Sequence, residues 1–139
     1  MKLNFNISEF NISGKDIPQD VADKILHYHI LPMQPVRNEL GYWITASENS
    51  GYRSEEWEKS RDRSGNSQHT FKVKGAVDWT CEHFSKNKDE FLKAIIKHTN
   101  YTRIAVYNTF IHCDYKPTGG KRQLFTSDAS SNWKFEKFV

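Results

Sequence analysis

Two histidines and an aspartate form a candidate metal-binding set in this chain. His69 and Asp78 lie in one segment, and His112 lies in a later apolar segment. Imidazole nitrogen and carboxylate oxygen are ligands that Zn²⁺ accepts in a tetrahedral site, and three protein ligands leave a fourth position open for water. The pattern therefore predicts a catalytic zinc site, with Co²⁺ and Ni²⁺ as alternatives because their ligand preferences overlap with those of zinc.

The surroundings of the two relevant aspartates sharpen this prediction. Asp78 lies among apolar residues, where burial of an unpaired carboxylate is unfavourable unless a cation lies beside it. In a strand at 110–115, alternating side chains would place His112 and Asp114 on the same face. Asp114 is then a general base, a partner that orients a ligand, or a ligand itself. The competing interpretation is that these histidines and aspartates are turn or capping residues.

The remaining cysteines and histidines lack such a context. Cys81 and Cys113 do not form a CxxC pair and lie in apolar runs, so we predict buried free thiols, with thiolate ligation as the alternative. His27, His29 and His98 are predicted at helix surfaces or helix ends.

The predicted elements that position these residues are helices followed by strands with one helix among them. Pro32 and Pro35 are expected to end a helix at 16–30 and to start a short second helix. This order indicates one α+β domain, 1–139, with N-terminal helices packed on a small antiparallel sheet. The helices are predicted at 16–30, 36–40, from Ser54 to Arg61 and at 87–98; 61–66 is a loop; the strands are 42–46, 77–80, 103–107, 110–115 and a final pair ending at 133–136.

Charge and hydropathy exclude some classes of partner. The net charge is +3 and the basic residues are scattered, whereas nucleic-acid binding favours a dense basic patch. No apolar run reaches the roughly 20 residues that a membrane helix needs, and the first residues lack the apolar core of a signal peptide. We therefore expect no nucleic acid, no membrane contact, no signal-dependent export and a monomer.

Five segments, in this order, resemble the zinc D-Ala-D-Ala carboxypeptidase family of peptidoglycan peptidases. That family includes phage endolysins and shares its fold with the hedgehog signalling domain. The resemblance covers over half of the chain, and the order of the segments makes it more specific than any one of them. The segments are Leu31–Arg37, Ser50–Ser54, Ser67–His69, Gly75–Asp78 and Phe110–Asp114.

The resemblance implies a role for each matched residue. His69, Asp78 and His112 fall on the three zinc ligands, and Arg53 falls on the arginine that binds the scissile carbonyl or its oxyanion. A permanent cation suits that task because negative charge grows on this oxygen in the transition state. Ser67 falls on a position near the substrate. The alternative for Arg53 is a surface arginine at the start of a helix, and the alternative for Ser67 is a hydroxyl group in a turn.

Two departures from the family pattern affect the site. Eight residues separate His69 from Asp78, where the family commonly has six, so a longer loop around 72–74 is expected. Many members carry Glu three residues before the last histidine, where this chain has Thr109, which cannot act as a base. Asp114 is therefore predicted as the substitute base.

The resemblance implies a zinc-dependent peptidase that hydrolyses a stem or cross-bridge peptide bond of peptidoglycan. A D-Ala-D-Ala carboxypeptidase and an L-Ala-D-Glu type endopeptidase both fit. The expected setting is a phage or prophage lytic enzyme, held in the host cytoplasm until release to the cell wall or associated with the virion. The alternatives are a non-catalytic zinc-containing wall- or protein-binding domain and a structural component of the virion.

Overall fold

A six-stranded mixed β-sheet organises the chain. The structure is a computed structural model, which describes residues 3–11, 16–47, 50–60, 67–127 and 132–139. The strand order is β1-β2-β4-β3-β5-β6, and every neighbouring pair is antiparallel except β3 and β5. The strands are β1 (Ile44–Ala46), β2 (Ala76–Cys81), β3 (Arg103–Val106), β4 (Ile111–Asp114), β5 (Gln123–Ser127) and β6 (Trp133–Phe138).

Four α-helices accompany the sheet within the described residues. Short 3₁₀ segments at Ile7–Phe10 and Gln68–Thr70 add to them, and none of these helices is long and apolar enough to cross a membrane. The helices are α1 (Gln19–Ile25), α2 (Leu31–Leu40), α3 (Glu55–Lys59) and α4 (Phe84–His98).

The predicted α+β class is confirmed, but the sheet is larger than expected and is not purely antiparallel. β4 ends at Asp114, which is paired with Arg103 at the start of β3. The chain therefore leaves β4 at the end of the sheet where β3 begins. A strand added from there at the free edge of β3 runs in the same direction as β3, so Gln123 pairs with Arg103 in parallel.

The predicted break between two N-terminal helices is wrong. A π-helical turn, Leu26–Ile30, joins α1 to α2 without a gap. Pro32 lies at the start of α2, where a missing backbone N–H is tolerated, and Pro35 lies inside that helix. The π turn has i→i+5 backbone hydrogen bonds, and it ends immediately before α2. The two prolines therefore lie just after the point where the helix changes from the π pattern to the α pattern.

Most other boundaries agree with the prediction within a few residues. α4 begins at Phe84, three residues before the predicted start, because His83 adopts a left-handed conformation that turns the chain into the helix. Gly41 ends α2 in the left-handed conformation, as expected for a glycine C-cap. The predicted loop at 61–66, and with it the end of the helix at Arg61, lies outside the described residues.

The core lies on the sheet face opposite to the candidate ligands. Val77, Trp79, Ile111 and Cys113 are buried there together with apolar residues of the helices. Cys81 and Cys113 are free and buried, as predicted. Burial raises the pKa of both thiols, which keeps them protonated.

His29 is a core residue, so its predicted position on a helix surface is wrong. It has no exposed area. The carbonyl of Lys74 can only accept, so His29 Nε2–H donates to it at 2.8 Å, and Nδ1 accepts from the Tyr101 hydroxyl at 2.7 Å. Tyr101 in turn accepts a hydrogen bond from the Trp79 indole at 3.1 Å. Both ring nitrogens are thus satisfied by neutral groups.

Candidate metal centre

His69, Asp78 and His112 come together in the structure. One ligand atom from each residue lies within 4.8 Å of those of the other two. All three side chains are buried, with 4%, 7% and 8% of their residue surface exposed. Three residues, the first and last of which are more than 40 positions apart in the chain, therefore form one group that could hold a metal ion.

The sheet places two members of this group side by side. Asp78 on β2 is the antiparallel partner of His112 on β4, so their side chains leave the same face at the same level. The Asp78 backbone N–H donates to the Ser50 hydroxyl at 2.6 Å. This bond ties the strand to the segment that carries Arg53.

His69 reaches the group from the short 3₁₀ segment Gln68–Thr70. The Ser67 hydroxyl caps this segment by accepting from the His69 backbone N–H at 3.2 Å. Phe71 ends it in a left-handed conformation and packs over Gly75, where a Cβ atom would lie 2.1 Å from the Phe71 ring. Gly75 is therefore required for the chain to fold back between His69 and Asp78, and residues 72–74 form the loop that precedes this glycine.

The hydrogen bonds of His69 determine which ring nitrogen faces Asp78. The carbonyl of Gly51 can only accept, so His69 Nδ1–H donates to it at 3.1 Å. The other nitrogen, Nε2, lies 3.5 Å from Asp78 Oδ1. In the neutral ring this nitrogen carries a lone pair, which points at a carboxylate oxygen. Two acceptors facing each other in a buried place require a proton or a metal ion between them.

His112 lies between two carboxylates. Its Nδ1 is 2.8 Å from Asp78 Oδ1, and its Nε2 is 2.8 Å from Asp114 Oδ2. Arg103 donates to both oxygens of Asp114, and the Lys116 backbone N–H donates to Oδ1 at 3.0 Å. In a neutral ring with Nε2–H directed to Asp114, the Nδ1 lone pair points at the same Asp78 oxygen as His69 does, so either a second ring proton or a metal ion must lie there.

These contacts bear on the role of Asp114. The residue has no exposed surface, and both of its oxygens already accept hydrogen bonds from Arg103. Metal-binding histidines ordinarily donate their second N–H to a carboxylate that orients the ring. Of the three roles open to Asp114, the geometry favours this orienting role. It gives no support to the predicted general base, because a base must reach a water molecule.

The charges of the group shift the pKa values of its members. Burial lowers the pKa of His112, but the hydrogen bonds and charges of Asp114 and Asp78 outweigh it and raise the pKa to about 9. Burial raises the pKa of Asp78, but His69 and His112 hold it well below its usual range. Burial raises the pKa of Asp114 too, but the hydrogen bonds and charges of His112 and Arg103 outweigh it and hold this pKa below its usual range. The two carboxylates thus stay ionised and attract a cation.

A cleft of about 390 Å³ opens onto His69, Asp78 and His112, and we call it the metal-site cleft. Its other lining residues are Arg53, Tyr107, Phe110 and Trp133. The Arg53 backbone N–H donates to the His69 carbonyl at 2.8 Å, which joins the arginine segment directly to the ligand segment. The structure therefore brings Arg53 to the cleft that holds the candidate ligands.

Ser67 and Thr109 lie elsewhere. Ser67 lines an adjoining cleft of about 270 Å³ together with Arg103, Lys116 and His112. Thr109 is exposed on the turn between β3 and β4 and lines a separate cavity of about 520 Å³ near His83. The position that carries Glu in many of the resembled peptidases does not line the metal-site cleft here.

Sequence reasoning missed two residues of the cleft, Tyr107 and Trp133. The backbone N–H of Tyr107 donates to the Phe110 carbonyl at 2.9 Å, so these two residues face each other across the hairpin. Alternation along the strand from Phe110 to His112 could therefore have predicted that Tyr107 shares a face with His112. Trp133 arrives on an edge strand, and its ring lies 5.0 Å from that of His112. No local pattern in the sequence indicates this contact.

Comparisons with protein-family models, curated proteins and solved structures give no match to this chain.

Proposed function

We propose that this chain is a zinc-dependent peptidase that hydrolyses a stem or cross-bridge peptide bond of peptidoglycan. The observation that carries the proposal is the convergence of the His69 and His112 ring nitrogens on one oxygen of buried Asp78, at 3.5 and 2.8 Å. This donor set opens into a cleft that also contains a permanent cation, Arg53. The resemblance of the five sequence segments supplies the substrate class and the hedgehog-type version of the fold.

The donor set fits zinc better than a hard cation such as Mg²⁺, which prefers oxygen ligands. Ligands about 2.0–2.1 Å from zinc in a tetrahedron are about 3.3 Å apart, close to the 3.5 Å between His69 and Asp78. The 2.8 Å between His112 and Asp78 would lengthen by about half an ångström. When bound, zinc polarises a carbonyl group and makes a water molecule more acidic.

The other polar residues have distinct tasks in this proposal. Asp114, held by Arg103, orients the His112 ring so that Nδ1 faces the metal position. The Arg53 guanidinium stabilises negative charge on the carbonyl oxygen under attack. In the adjoining cleft, Ser67 and Lys116 offer a hydroxyl and a positive charge, which suit a carboxylate of the peptide substrate.

The biological setting follows from the same resemblance. A phage or prophage lytic enzyme would wait in the host cytoplasm until it reaches the cell wall, or travel with the virion. We propose a monomer whose partner is the peptide part of peptidoglycan, with no nucleic acid or membrane involved. The scattered positive charge is compatible with weak attraction to an anionic wall.

Digestion of purified peptidoglycan by the zinc-loaded protein, with the products identified by mass spectrometry, tests this function. We expect one defined type of peptide bond to be cleaved. His112→Ala should abolish cleavage, whereas His98→Ala should retain it, because His98 lies at the end of α4 and pairs with Glu39. A zinc-loaded protein that cleaves no bond in peptidoglycan would contradict the proposal.

A second candidate is a zinc-containing wall- or protein-binding domain without catalysis, or a structural component of a virion. One observation favours it: among the described residues that line the cleft, Asp78 is the single carboxylate, and it belongs to the ligand group. Retained zinc and co-sedimentation with peptidoglycan, without cleavage products, would support the binding domain. Stoichiometric presence in assembled particles would support the virion component.

A further inference from the structure

Tyr107 and Trp133 both line the metal-site cleft, and a hydrogen bond to the Tyr107 hydroxyl joins them. The Trp133 indole N–H donates to the Tyr107 oxygen at 2.7 Å. An indole nitrogen can only donate, so the direction of this bond is unambiguous and the Tyr107 oxygen is the acceptor. The phenolic proton is therefore left for a different partner. Within the described ranges of the chain, no group accepts a hydrogen bond from it.

A second tryptophan–tyrosine pair in the core shows what such a proton ordinarily does. There the Trp79 indole donates to the Tyr101 hydroxyl at 3.1 Å, and Tyr101 passes its own proton to His29 Nδ1 at 2.7 Å. The core pair is thus a closed chain of hydrogen bonds. The cleft pair has the same first bond and lacks the second, at a place where a ligand has access.

Stacking and a hydrogen bond hold the Tyr107 side chain in one position. Its ring stacks on Phe110 with a centroid distance of 4.3 Å and an interplanar angle of 20°. Trp133, which holds the hydroxyl, also packs against His112 and lies under the Arg103 guanidinium at 4.7 Å. Two other residues of the same cleft therefore fix the Tyr107 side chain, Phe110 at the ring and Trp133 at the hydroxyl. A hydrogen-bond donor held in advance needs little reorganisation when a ligand binds.

We propose that Tyr107 donates a hydrogen bond to an oxygen atom of the ligand bound at the metal centre. In the peptidase described above, on which this inference rests, that atom is the carbonyl oxygen as it becomes an oxyanion. Tyr107 shares this oxygen with Arg53. Trp133 is a positioning residue that keeps the Tyr107 proton directed into the cleft.

A binding experiment tests this without relying on hydrolysis. The protein is loaded with Co²⁺, and methylphosphonate, a small tetrahedral anion, is titrated while the visible absorption of cobalt is recorded. Tyr107→Phe removes only the donor and keeps the stacked ring. We expect its Kd for methylphosphonate to rise about 10-fold, as for a lost hydrogen bond to a charged group, with unchanged affinity for Co²⁺.

Tyr101→Phe is the matched control, because it removes the same hydroxyl from the equivalent pair in the core. It should lower the melting temperature and leave the methylphosphonate Kd unchanged. If this variant does not fold, Tyr28→Phe, at a tyrosine with 37% of its surface exposed, takes its place. In the hydrolysis assay, Tyr107→Phe should lower kcat by about 10²-fold with little change in KM, as for other oxyanion donors.

The outcomes separate this inference from the proposed function. A protein that binds Co²⁺ and shows equal Kd values for wild type and Tyr107→Phe overturns the role of Tyr107 alone. An equal loss in Tyr107→Phe and in the control indicates a structural effect and also overturns it. A protein that takes up no Co²⁺ contradicts the proposed metal centre, and the inference then fails with it.

Discussion

Two buried histidines on opposite sides of the same sheet have opposite electrostatic surroundings. His29, on the core side, is bonded to a tyrosine hydroxyl and a backbone carbonyl, and burial lowers its pKa to about 4 despite the carbonyl. His112, on the cleft side, lies between Asp78 and Asp114, and its pKa rises to about 9 although it is buried too. The charge of the partners, and not burial, decides the difference. Neutral partners keep a buried histidine uncharged, whereas two carboxylates favour a positive charge, on the ring or beside it.

Removal of His112 should have the largest effect on this contrast. We expect His112→Ala to abolish metal binding and to lower the free energy of unfolding by about 3–5 kcal/mol, because Asp78 would keep a buried charge with fewer partners. Urea unfolding and metal analysis of the purified variant measure both effects. His29→Ala is the counterpart from the core side, and it should lower stability while metal binding is retained. Metal binding by His112→Ala at wild-type affinity would contradict the assignment of His112 as a metal ligand and of His29 as a purely structural residue.

The low pKa of His29 predicts how stability depends on pH. The folded protein keeps His29 neutral down to about pH 4, whereas the unfolded chain binds a proton near pH 6.5. This contribution to stability is present above pH 6.5 and is lost as pH falls toward 4, by about 3 kcal/mol in total. In metal-free protein, the free energy of unfolding of the wild type should fall more steeply between pH 7 and 4 than that of His29→Gln. Parallel pH profiles would show that His29 is not kept neutral.

Substitution of Asp114 distinguishes an orienting residue from a base. If Asp114 holds the His112 ring, Asp114→Asn should weaken zinc binding about 10- to 100-fold, since the carboxylate partner of a metal-binding histidine is lost. A zinc titration against a competing chelator measures this. Unchanged zinc affinity together with a large loss of hydrolysis would instead support the general base predicted from the sequence.

Thr109 should give the smallest effect. It is exposed on the hairpin turn and lines a cavity separate from the metal-site cleft. Thr109→Glu introduces the residue that many of the resembled peptidases carry there. We expect the free energy of unfolding to change by less than about 0.5 kcal/mol and the rate of hydrolysis to stay within about twofold of wild type. A large gain in activity would mean that this turn moves into the cleft.

The sequence was informative where a local rule applies. Alternation along a strand predicted that His112 and Asp114 share a face, and Asp114 lies within hydrogen-bond distance of His112. The apolar neighbours of Asp78 indicated a buried carboxylate, which needs polar or charged partners.

The rest depends on contacts between distant residues. His29 resembles a surface histidine in the helical pattern, and its contacts with Tyr101 and the Lys74 carbonyl, both distant in sequence, make it a core residue. The parallel β3–β5 pair follows from the side on which the chain leaves β4, which no local pattern encodes. Trp133 reaches His112 from an edge strand, so neither its contact nor its bond to Tyr107 has a sequence signal.

The amount of zinc bound per chain tests the central claim most directly. Elemental analysis of protein purified with zinc, compared with His112→Ala prepared in the same way, gives this number. We predict one zinc ion per chain in the wild type and none in the variant, because His69, Asp78 and His112 form one three-residue group. Equal zinc content in the two proteins, or none in either, would contradict the assignment of this group as a metal centre.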